Sequence, residues 1–441
     1  MAQIFLDLFY SFGNCLNCFP GSPTLKINSR NVKIQRLLGE GGFSYVYLVE
    51  DTASHQLFAL KKIRCPFGAE SVQQAMREVD AYRLFAHVPT IISAVDHAVA
   101  TERGADEATK TVYVLLPYYR RGNLQDMINA NLVNRGRFPE RHLMMLFLGV
   151  CKALRAMHEY KPGPAERMEM GNEEDHQHLD GGPSSSSGSG RQMGTRGKRT
   201  EEEEEPEQER PLMESENQVS GSGPGPGPGK PQSYAHRDIK PGNIMIDDSG
   251  STPILMDLGS VAPSPVPVTS QSLALQIQDA AAEHSTMPYR APELFDVRTG
   301  TVIDTKSDIW SLGCTLYACL VGKSPFEMRS DETGGTLSLC VLGGDWRFPD
   351  ESPGGAKRVN SIGQAKARAA AAGGGPSDLP GQADGAGGGS GSGVAISEPI
   401  REIVRRCLKV EPAERPDIGE LIAMVERVIE ELPDGDGYGP P

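Results

Sequence analysis

A surplus of basic charge is missing from this 441-residue chain: 44 Lys and Arg stand against 58 Asp and Glu, a formal net charge of −14. Proteins that bind nucleic acid through their overall field are usually basic, so no nucleic-acid partner is expected. About half of the net negative charge lies between Tyr160 and Ala235 and says little about the rest. Long apolar runs are also missing. The most apolar internal stretch, Leu143–Val150, is far shorter than the ~20 residues a spanning helix needs. Ile4–Phe12 contains Asp7 and has no basic region before it, unlike a secretory signal. Cysteine is sparse, with 8 in all. Cys65, Cys151, Cys314, Cys319, Cys340 and Cys407 are scattered through apolar or helical stretches, as reduced thiols in a core would be. No solenoid-type repeat is present.

Glycine and proline are abundant, at 50 and 33 residues, and are gathered into two tracts. The first, 162–232, holds Ser184–Ser187, Glu201–Glu205 and the Gly-Pro repeats of Gly223–Gly229. The second, 351–393, is rich in Ala, Gly and Ser. Such segments cannot bury enough apolar surface to offset their ordering entropy, so both are expected to be disordered insertions. Extra loop length raises the closure cost only slowly. Setting aside these tracts, an apolar Cys-containing leader (1–28) and a tail (433–441) leaves roughly 290 residues within 29–432, enough for one two-lobed domain with a sizeable core.

Short β-type runs at Val32–Leu38, Tyr45–Glu50 and Gln56–Ile63 predict an antiparallel meander, its first two strands joined by a glycine-rich turn. Val72, Met76, Val79 and Tyr82 recur at helical spacing and predict an amphipathic helix over Ser71–Phe85. Thr90–Val99 and Thr111–Leu116 read as strands. After Gly122 the pattern turns helical. Pro139–Tyr160 is apolar on nearly all sides between Leu143 and Leu154, as a buried helix is. Gln271–Glu283 is helix-prone, and Asp417–Leu432 repeats the helical pattern until Pro433 ends it. A β-rich first part and a helical second part indicate an α+β fold.

Three stretches bear on chemistry. Gly39-Glu-Gly41-Gly42-Phe-Ser44-Tyr-Val46 is a glycine-rich turn whose backbone N–H groups could approach phosphate oxygens. No Gly-Lys-Ser/Thr follows, so it is not a P-loop, and alone it reads better as a plain hairpin turn. Phe58-Ala59-Leu60-Lys61 puts a lysine on a strand, and Glu78 follows on the predicted helix; separately, each would be an ordinary surface charge. The third stretch decides between these readings. His236-Arg237-Asp238-Ile239-Lys240-Pro241-Gly242-Asn243 precedes an apolar run, and Asp257-Leu258-Gly259 begins fourteen residues after Asn243. Phosphoryl transfer needs a carboxylate near the attacking hydroxyl, oxygen ligands for Mg²⁺ and a cation near the transferred group. Asp238, Asn243, Asp257 and Lys240 supply those types on two adjacent loops.

Further along stand Tyr289-Arg290-Ala291-Pro292-Glu293, then Ser307-Asp308-Ile309-Trp310-Ser311-Leu312-Gly313, then Cys407-Leu408 with Pro412, Arg415 and Pro416. In this order the set resembles a eukaryotic protein kinase. The resemblance covers Asn31 to Leu432 outside the two insertions. More narrowly, the chain looks like the Numb-associated kinase family, on the branch of the myristoylated and palmitoylated serine/threonine kinase and its fungal vacuolar-membrane relatives. The residues carrying this are Leu37–Val46, Leu116-Pro117-Tyr118-Tyr119, Met256–Ser260 and the leader Leu6-Asp7-Leu8-Phe9 with cysteines close behind.

The resemblance implies a two-lobed kinase fold with a β-rich N-lobe (29–116) and a helical C-lobe (120–432). It implies transfer of the ATP γ-phosphoryl group to Ser/Thr hydroxyls of proteins, with Mg²⁺ or Mn²⁺. Gly39, Gly41, Gly42 and Ser44 would cover the phosphates. Val46, Ala59, Leu116, Pro117 and Tyr119 would line the adenine site, with Leu116 as gatekeeper. Lys61 would contact the α- and β-phosphates and pair with Glu78. Asp238 would orient the substrate hydroxyl, Lys240 would assist, and Asn243 and Asp257 would hold the metal. Thr286 would pack on the catalytic loop, Asp308 would brace it, and Glu293 would pair with Arg415. Ser44 replaces the third glycine of the loop, and Leu258 replaces the phenylalanine of Asp-Phe-Gly; neither change removes a charged group needed for chemistry. In the family an extra helix follows the activation loop, and Gln271–Glu283 would supply it and allow basal activity without upstream activation. Arg237 could instead receive a phosphate from Ser264, Thr269, Ser270 or Ser272.

Cys15 and Cys18 follow the apolar stretch Ile4–Phe12. A metal or redox Cys-x-x-Cys would need a second ligand pair or a thioredoxin-like context. An unmodified leader and reversible S-palmitoylation are the other readings, and the second is preferred. Position 2 is Ala, so the myristoylation motif is absent. Two acyl chains with an apolar leader could anchor the protein stably, which places it on the cytosolic face of endomembranes, vacuole or Golgi by resemblance, with a cytoplasmic pool. A non-catalytic scaffold and a small-molecule kinase are the competing functions. The intact Lys61, Asp238, Asn243 and Asp257 disfavour the first, and Thr286 with the Ala-Pro-Glu segment disfavours the second. The oligomeric state is not legible.

Overall fold

The computed structural model describes residues 24–101, 109–161, 233–351 and 396–433. Six strands, β1 (Thr24–Ile27), β2 (Arg30–Glu40), β3 (Ser44–Asp51), β4 (Leu57–Cys65), β5 (Asp96–Thr101) and β6 (Lys110–Pro117), form one antiparallel sheet in the order β1-β2-β3-β4-β6-β5. Side chains alternate across a strand, and here that divides the sheet between two cores. Phe58 and Leu60 of β4 join Ile27, Val32, Tyr47, Val49 and Leu115 on one face. Ala59 and Ile63 pack with the main core on the other, where Lys61 also points. Helix α1 (Gly68–Leu84) covers that second face, burying Val79 and Tyr82 beside Val112, Val114 and Leu116.

The helical lobe contains α2 (Leu124–Asn134), whose N-terminus is closed by the reciprocal Asn123–Asp126 capping box, and α3 (Glu140–His158). Short ribbons follow: β7 (Ser233–Ala235) pairs with β10 (Ala262–Ser264), β8 (Ile244–Ile246) with β9 (Pro253–Leu255), and β11 (Val266–Pro267) with β12 (Val302–Ile303). Between β11 and β12 lies α4 (Gln271–His284). The lobe closes with α5 (Lys306–Val321), α6 (Pro325–Thr333), α7 (Leu337–Leu342), α8 (Glu398–Cys407) and α9 (Ile418–Glu431). Helix α5 is buried on nearly every side. Helix α9 packs on α3, and Arg141 at the start of α3 donates to the carbonyls of Ile429 and Leu432 at the end of α9.

The boundaries differ from expectation in three places. Thr24–Ile27, placed in the leader by a boundary at residue 28, is a strand. Asn28 takes a positive φ of 50°, turns the chain into β2, and donates to Asp96 Oδ1 at 2.6 Å and the His97 carbonyl at 3.0 Å. Four residues are too few for alternation to be seen in sequence. The run Thr90–Val99 is not one strand. Ile91 makes a single parallel bridge to Leu255, flanked by the Ile92 N–H to Leu255 O and Leu255 N–H to Thr90 O bonds, and β5 begins only at Asp96. These apolar residues tie the small lobe to β9. Glu351, taken as the start of the second insertion, ends a 3-10 turn and pairs with Arg405 at 2.9 Å.

The tracts 162–232 and 352–395, and the leader up to residue 23, lie outside the described residues. The chain on either side of the first tract is pinned by aromatic rings: Tyr160 meets Tyr234 edge-on at 5.6 Å, and Phe85 meets each of them at 5.6 Å. Beyond the second tract, Ser397 bonds Glu140 through both its N–H and its hydroxyl. Among the described residues no helix is long and apolar enough to cross a membrane, and the six described cysteines are free and buried.

Candidate active site

Lys61 on β4 and Glu78 on α1 come together because β4 turns Lys61 toward α1 and Glu78 lies on the buried side of that helix. Lys61 Nζ donates to Glu78 Oε1 at 2.7 Å and to Asp257 Oδ1 at 2.9 Å. Only 14% of the Lys61 side chain and 8% of the Glu78 side chain are exposed. Burial opposes the ammonium charge, but the two carboxylates outweigh it and hold Lys61 above its ordinary range. In return the Lys61 ammonium, above all, holds the Asp257 carboxyl down at about 2. Asp257 has φ 62°, a left-handed conformation that is unfavourable for a residue with a Cβ.

The loop before β8 is built around Asp238. Its Oδ1 accepts the Thr286 N–H at 2.8 Å, and its Oδ2 accepts Lys240 Nζ at 2.7 Å and Asn243 Nδ2 at 2.9 Å. Lys240 also donates to Thr286 Oγ1 at 2.6 Å, and Asn243 Nδ2 to the Asp238 carbonyl at 2.8 Å. Beneath lies Asp308, fully buried at the start of α5. It accepts the backbone N–H groups of His236 and Arg237 at 2.8 Å each and His158 Nε2 at 2.9 Å. Burial pushes the Asp308 carboxyl up, and the His158 hydrogen bond with its other donors more than reverses this. His236 Nε2 faces the Met256 carbonyl at 3.1 Å and must donate; its Nδ1 is then free to accept the Asp238 N–H at 3.3 Å. The Asp238 loop and the strand leading to Asp257 are therefore cross-linked.

Above these groups the turn between β2 and β3 is closed by the Gly41 N–H to Ser44 carbonyl bond at 2.7 Å and by Arg64 N–H to the Phe43 carbonyl at 2.8 Å. The space a Cβ would fill at Gly39 and Gly42 is open, whereas at Gly41 it would meet Ser44 Oγ at 3.0 Å. Val46 pairs with Lys61 across β3–β4, and Ala59 with Leu116 across β4–β6. Pro117 ends β6 and Tyr119 follows, its phenol pushed up by burial and by Asp247 and Asp248. In the larger lobe Glu293 and Arg415 form a two-pronged pair at 2.7 and 2.8 Å. Arg415 also donates to the Lys409, Val410 and Lys306 carbonyls and lies over the Trp310 ring at 5.0 Å.

The candidate catalytic, nucleotide-site, metal and structural residues among the described residues thus fall into these groups. Cys15 and Cys18 lie outside the described residues. Of the proposed phosphate donors in the segment after Asp257, Ser264 is buried and Ser270 caps α4 through the Leu273 N–H. Reading the motifs missed His158 and the donor role of His236. Their only signal is a histidine at the end of a buried helix and one heading the catalytic loop.

A strand lysine paired with a helix glutamate and a loop aspartate, set over a second aspartate held by lysine, asparagine and threonine, defines a phosphotransferase of the kinase class. The model of the protein kinase domain matches residues 32–161 and 231–425, and the chain belongs to the protein kinase family. Serine/threonine-protein kinase ppk13 of Schizosaccharomyces pombe is 30% identical over 400 residues, 91% of this chain and 91% of that protein. Serine/threonine-protein kinase ENV7 of Saccharomyces cerevisiae is 29% identical over 436 residues, 97% of this chain and 99% of that one. Serine/threonine-protein kinase 16 of Homo sapiens is 34% identical over 315 residues, 71% of this chain and 76% of that one. These relatives lie on the branch that the motifs resemble. The protein is a serine/threonine protein kinase that uses ATP and a divalent cation and acts on protein substrates.

Proposed function

We propose that the residues gathered here perform the transfer as follows, on the single observation that Lys61, Glu78 and Asp257 are bonded together across from a fully partnered Asp238. The turn Gly39–Ser44 covers the phosphates with its backbone, and Val46, Ala59, Leu116, Pro117 and Tyr119 enclose the adenine. Lys61, oriented by Glu78, neutralises the α- and β-phosphates. Asp238 is fixed on both oxygens and orients the substrate hydroxyl, taking its proton as the bond to the γ-phosphorus forms and the bond from that phosphorus to the β–γ bridging oxygen breaks, releasing ADP. Lys240 offsets charge on the transferred group, and Thr286 holds Lys240 and Asp238 in register. Asn243 commits its nitrogen to Asp238 and so offers an oxygen. With the Asp257 carboxylate, that makes an oxygen donor set suited to Mg²⁺ or Mn²⁺. The cation, when bound, neutralises charge on the phosphate oxygens.

The test is phosphoryl transfer from labelled ATP to the protein itself and to a generic Ser/Thr substrate, with Mg²⁺ or Mn²⁺. Asp238→Asn and Asp257→Asn should each lower kcat by about 10²-fold or more. Parental activity in either variant would remove that residue from the site. S-acylation of Cys15 and Cys18, with residence on the cytosolic face of endomembranes, completes the proposal and is supported by the apolar leader.

A further inference from the structure

Phe43 stands at the tip of the turn between β2 and β3 and is 50% exposed; Phe67, the residue just before α1, is 72% exposed. Neither ring is part of the two cores that flank the sheet. They meet each other instead, with centroids 6.1 Å apart and planes crossing at 73°, an edge-to-face contact. Both rings are placed by their backbones. The Phe43 carbonyl accepts the Arg64 N–H at 2.8 Å, which fixes the tip against the end of β4. The Phe67 N–H donates to Ser71 Oγ at 3.2 Å, and that hydroxyl donates to the Gly68 carbonyl at 3.0 Å. Gly68 takes φ 66°, a conformation that glycine adopts without steric cost, and α1 starts there. Between β4 and α1 the chain therefore turns Cys65 into the core and lays Phe67 on the tip of the turn. The turn has few side chains to hold it, and the space beside Gly39 and Gly42 is open. Fixing a glycine backbone costs more conformational entropy than fixing any other, and a ring contact at the tip offsets part of that cost.

We propose that Phe67 is a positioning residue for ATP: its ring holds Phe43, and through it the Gly41–Gly42 backbone, down over the phosphates. The assignment rests on the reading of the turn Gly39–Ser44 as the phosphate cover. Phe67 begins the segment that leads into the helix carrying Glu78, so the contact joins the cover to that helix at its first residue. It forms only when the turn is lowered and the start of α1 is in place, so each of these favours the other.

The experiment compares the full chain with Phe67→Ala, Phe43→Ala, the double variant and Phe67→Tyr. Steady-state kinetics with Mg²⁺ give kcat and KM for ATP, and thermal unfolding gives Tm. Loss of the ring contact should raise KM for ATP about five-fold in each single alanine variant, within the range one aromatic pair accounts for. The kcat should stay within about two-fold of the parent. The double variant should be no worse than either single one, because the second substitution removes nothing further. Phe67→Tyr keeps the ring and should restore the parental KM. Since Phe67 is mostly exposed, Tm of Phe67→Ala should fall by less than about 3 °C. A parental KM in Phe67→Ala, additive effects in the double variant or a larger fall in Tm would each overturn the inference, the last by making the ring a folding group. Amide hydrogen exchange at Gly41 and Gly42, with and without a non-hydrolysable ATP analogue, tests the turn itself. If the analogue leaves those amides unprotected, the reading of the turn as the phosphate cover fails; if it protects them while Phe67→Ala keeps the parental KM, only the role of Phe67 is lost.

Discussion

Asp257 shows how a site residue is held against its own preferences. Its backbone is in the left-handed region, and its carboxylate is kept ionised by Lys61 down to about pH 2, against an unfolded value of ~3.9. The folded state therefore binds fewer protons than the unfolded chain in this window. The resulting stabilisation is complete above the unfolded value and is lost as pH falls from about 4 toward 2. Because 37% of the side chain is exposed, solvent screens the pair and reduces its worth. Urea unfolding of Asp257→Asn between about pH 5 and 2 should show a shallower acid decline than the parent; an equally steep decline would mean that other carboxylates carry it. At this scale, the residues legible in sequence were those in motifs with fixed spacing, such as Asp238 and Asn243. Tyr82, whose hydroxyl donates to Glu78 Oε1, was legible only as an apolar position, since periodicity reports which face is buried and nothing about where a hydroxyl finds partners.

Among the elements, α4 has the most to say about regulation. The sequence indicated a helix over Gln271–Glu283, and one spans Gln271–His284, started by the Ser270 side chain. Its packing was not visible. Ala274 and Ile277 join Val268, Leu294, Val297 and Ile303 in a small separate core. Arg290 bonds the carbonyls of Ala282 and Ser285 and the Ser285 hydroxyl at the end of the helix. Thr286 comes next in the chain and holds Asp238, so the segment is fastened to the site by contacts that need no phosphate. Phosphatase-treated protein should keep its activity within about two-fold, and Ile277→Asp, which puts an unpaired charge into that core, should lower it at least about ten-fold. Activity that vanishes on phosphatase treatment and returns with a second kinase would show that the helix alone is not enough. The small strands were the least legible elements. Thr24–Ile27 pairs with the next strand but is too short for alternation to show, and Ile91 acts through a long-range bridge to Leu255, which local patterning does not contain.

Over the whole molecule, the two-lobed arrangement was legible because the strand and helix periods change near Gly122 and because the motifs fall in a fixed order. The leader belongs to this scale, since on the proposed reading its acylation brings the catalytic domain to a membrane. Changing Cys15 and Cys18 to Ser together should move the protein from the membrane pellet to the soluble fraction, because one apolar leader without acyl chains binds only marginally. An unchanged distribution would rule out acylation there as the anchor.

The ring cluster of Phe85, Tyr160 and Tyr234 has a practical consequence. It brings the two chain ends flanking residues 162–232 within one aromatic contact of each other and fixes them in the core. The closure entropy of a segment inserted between them grows only logarithmically with its length. That junction is the place to splice a fluorescent domain or an affinity handle, leaving both termini, and the cysteines near the first, as they are.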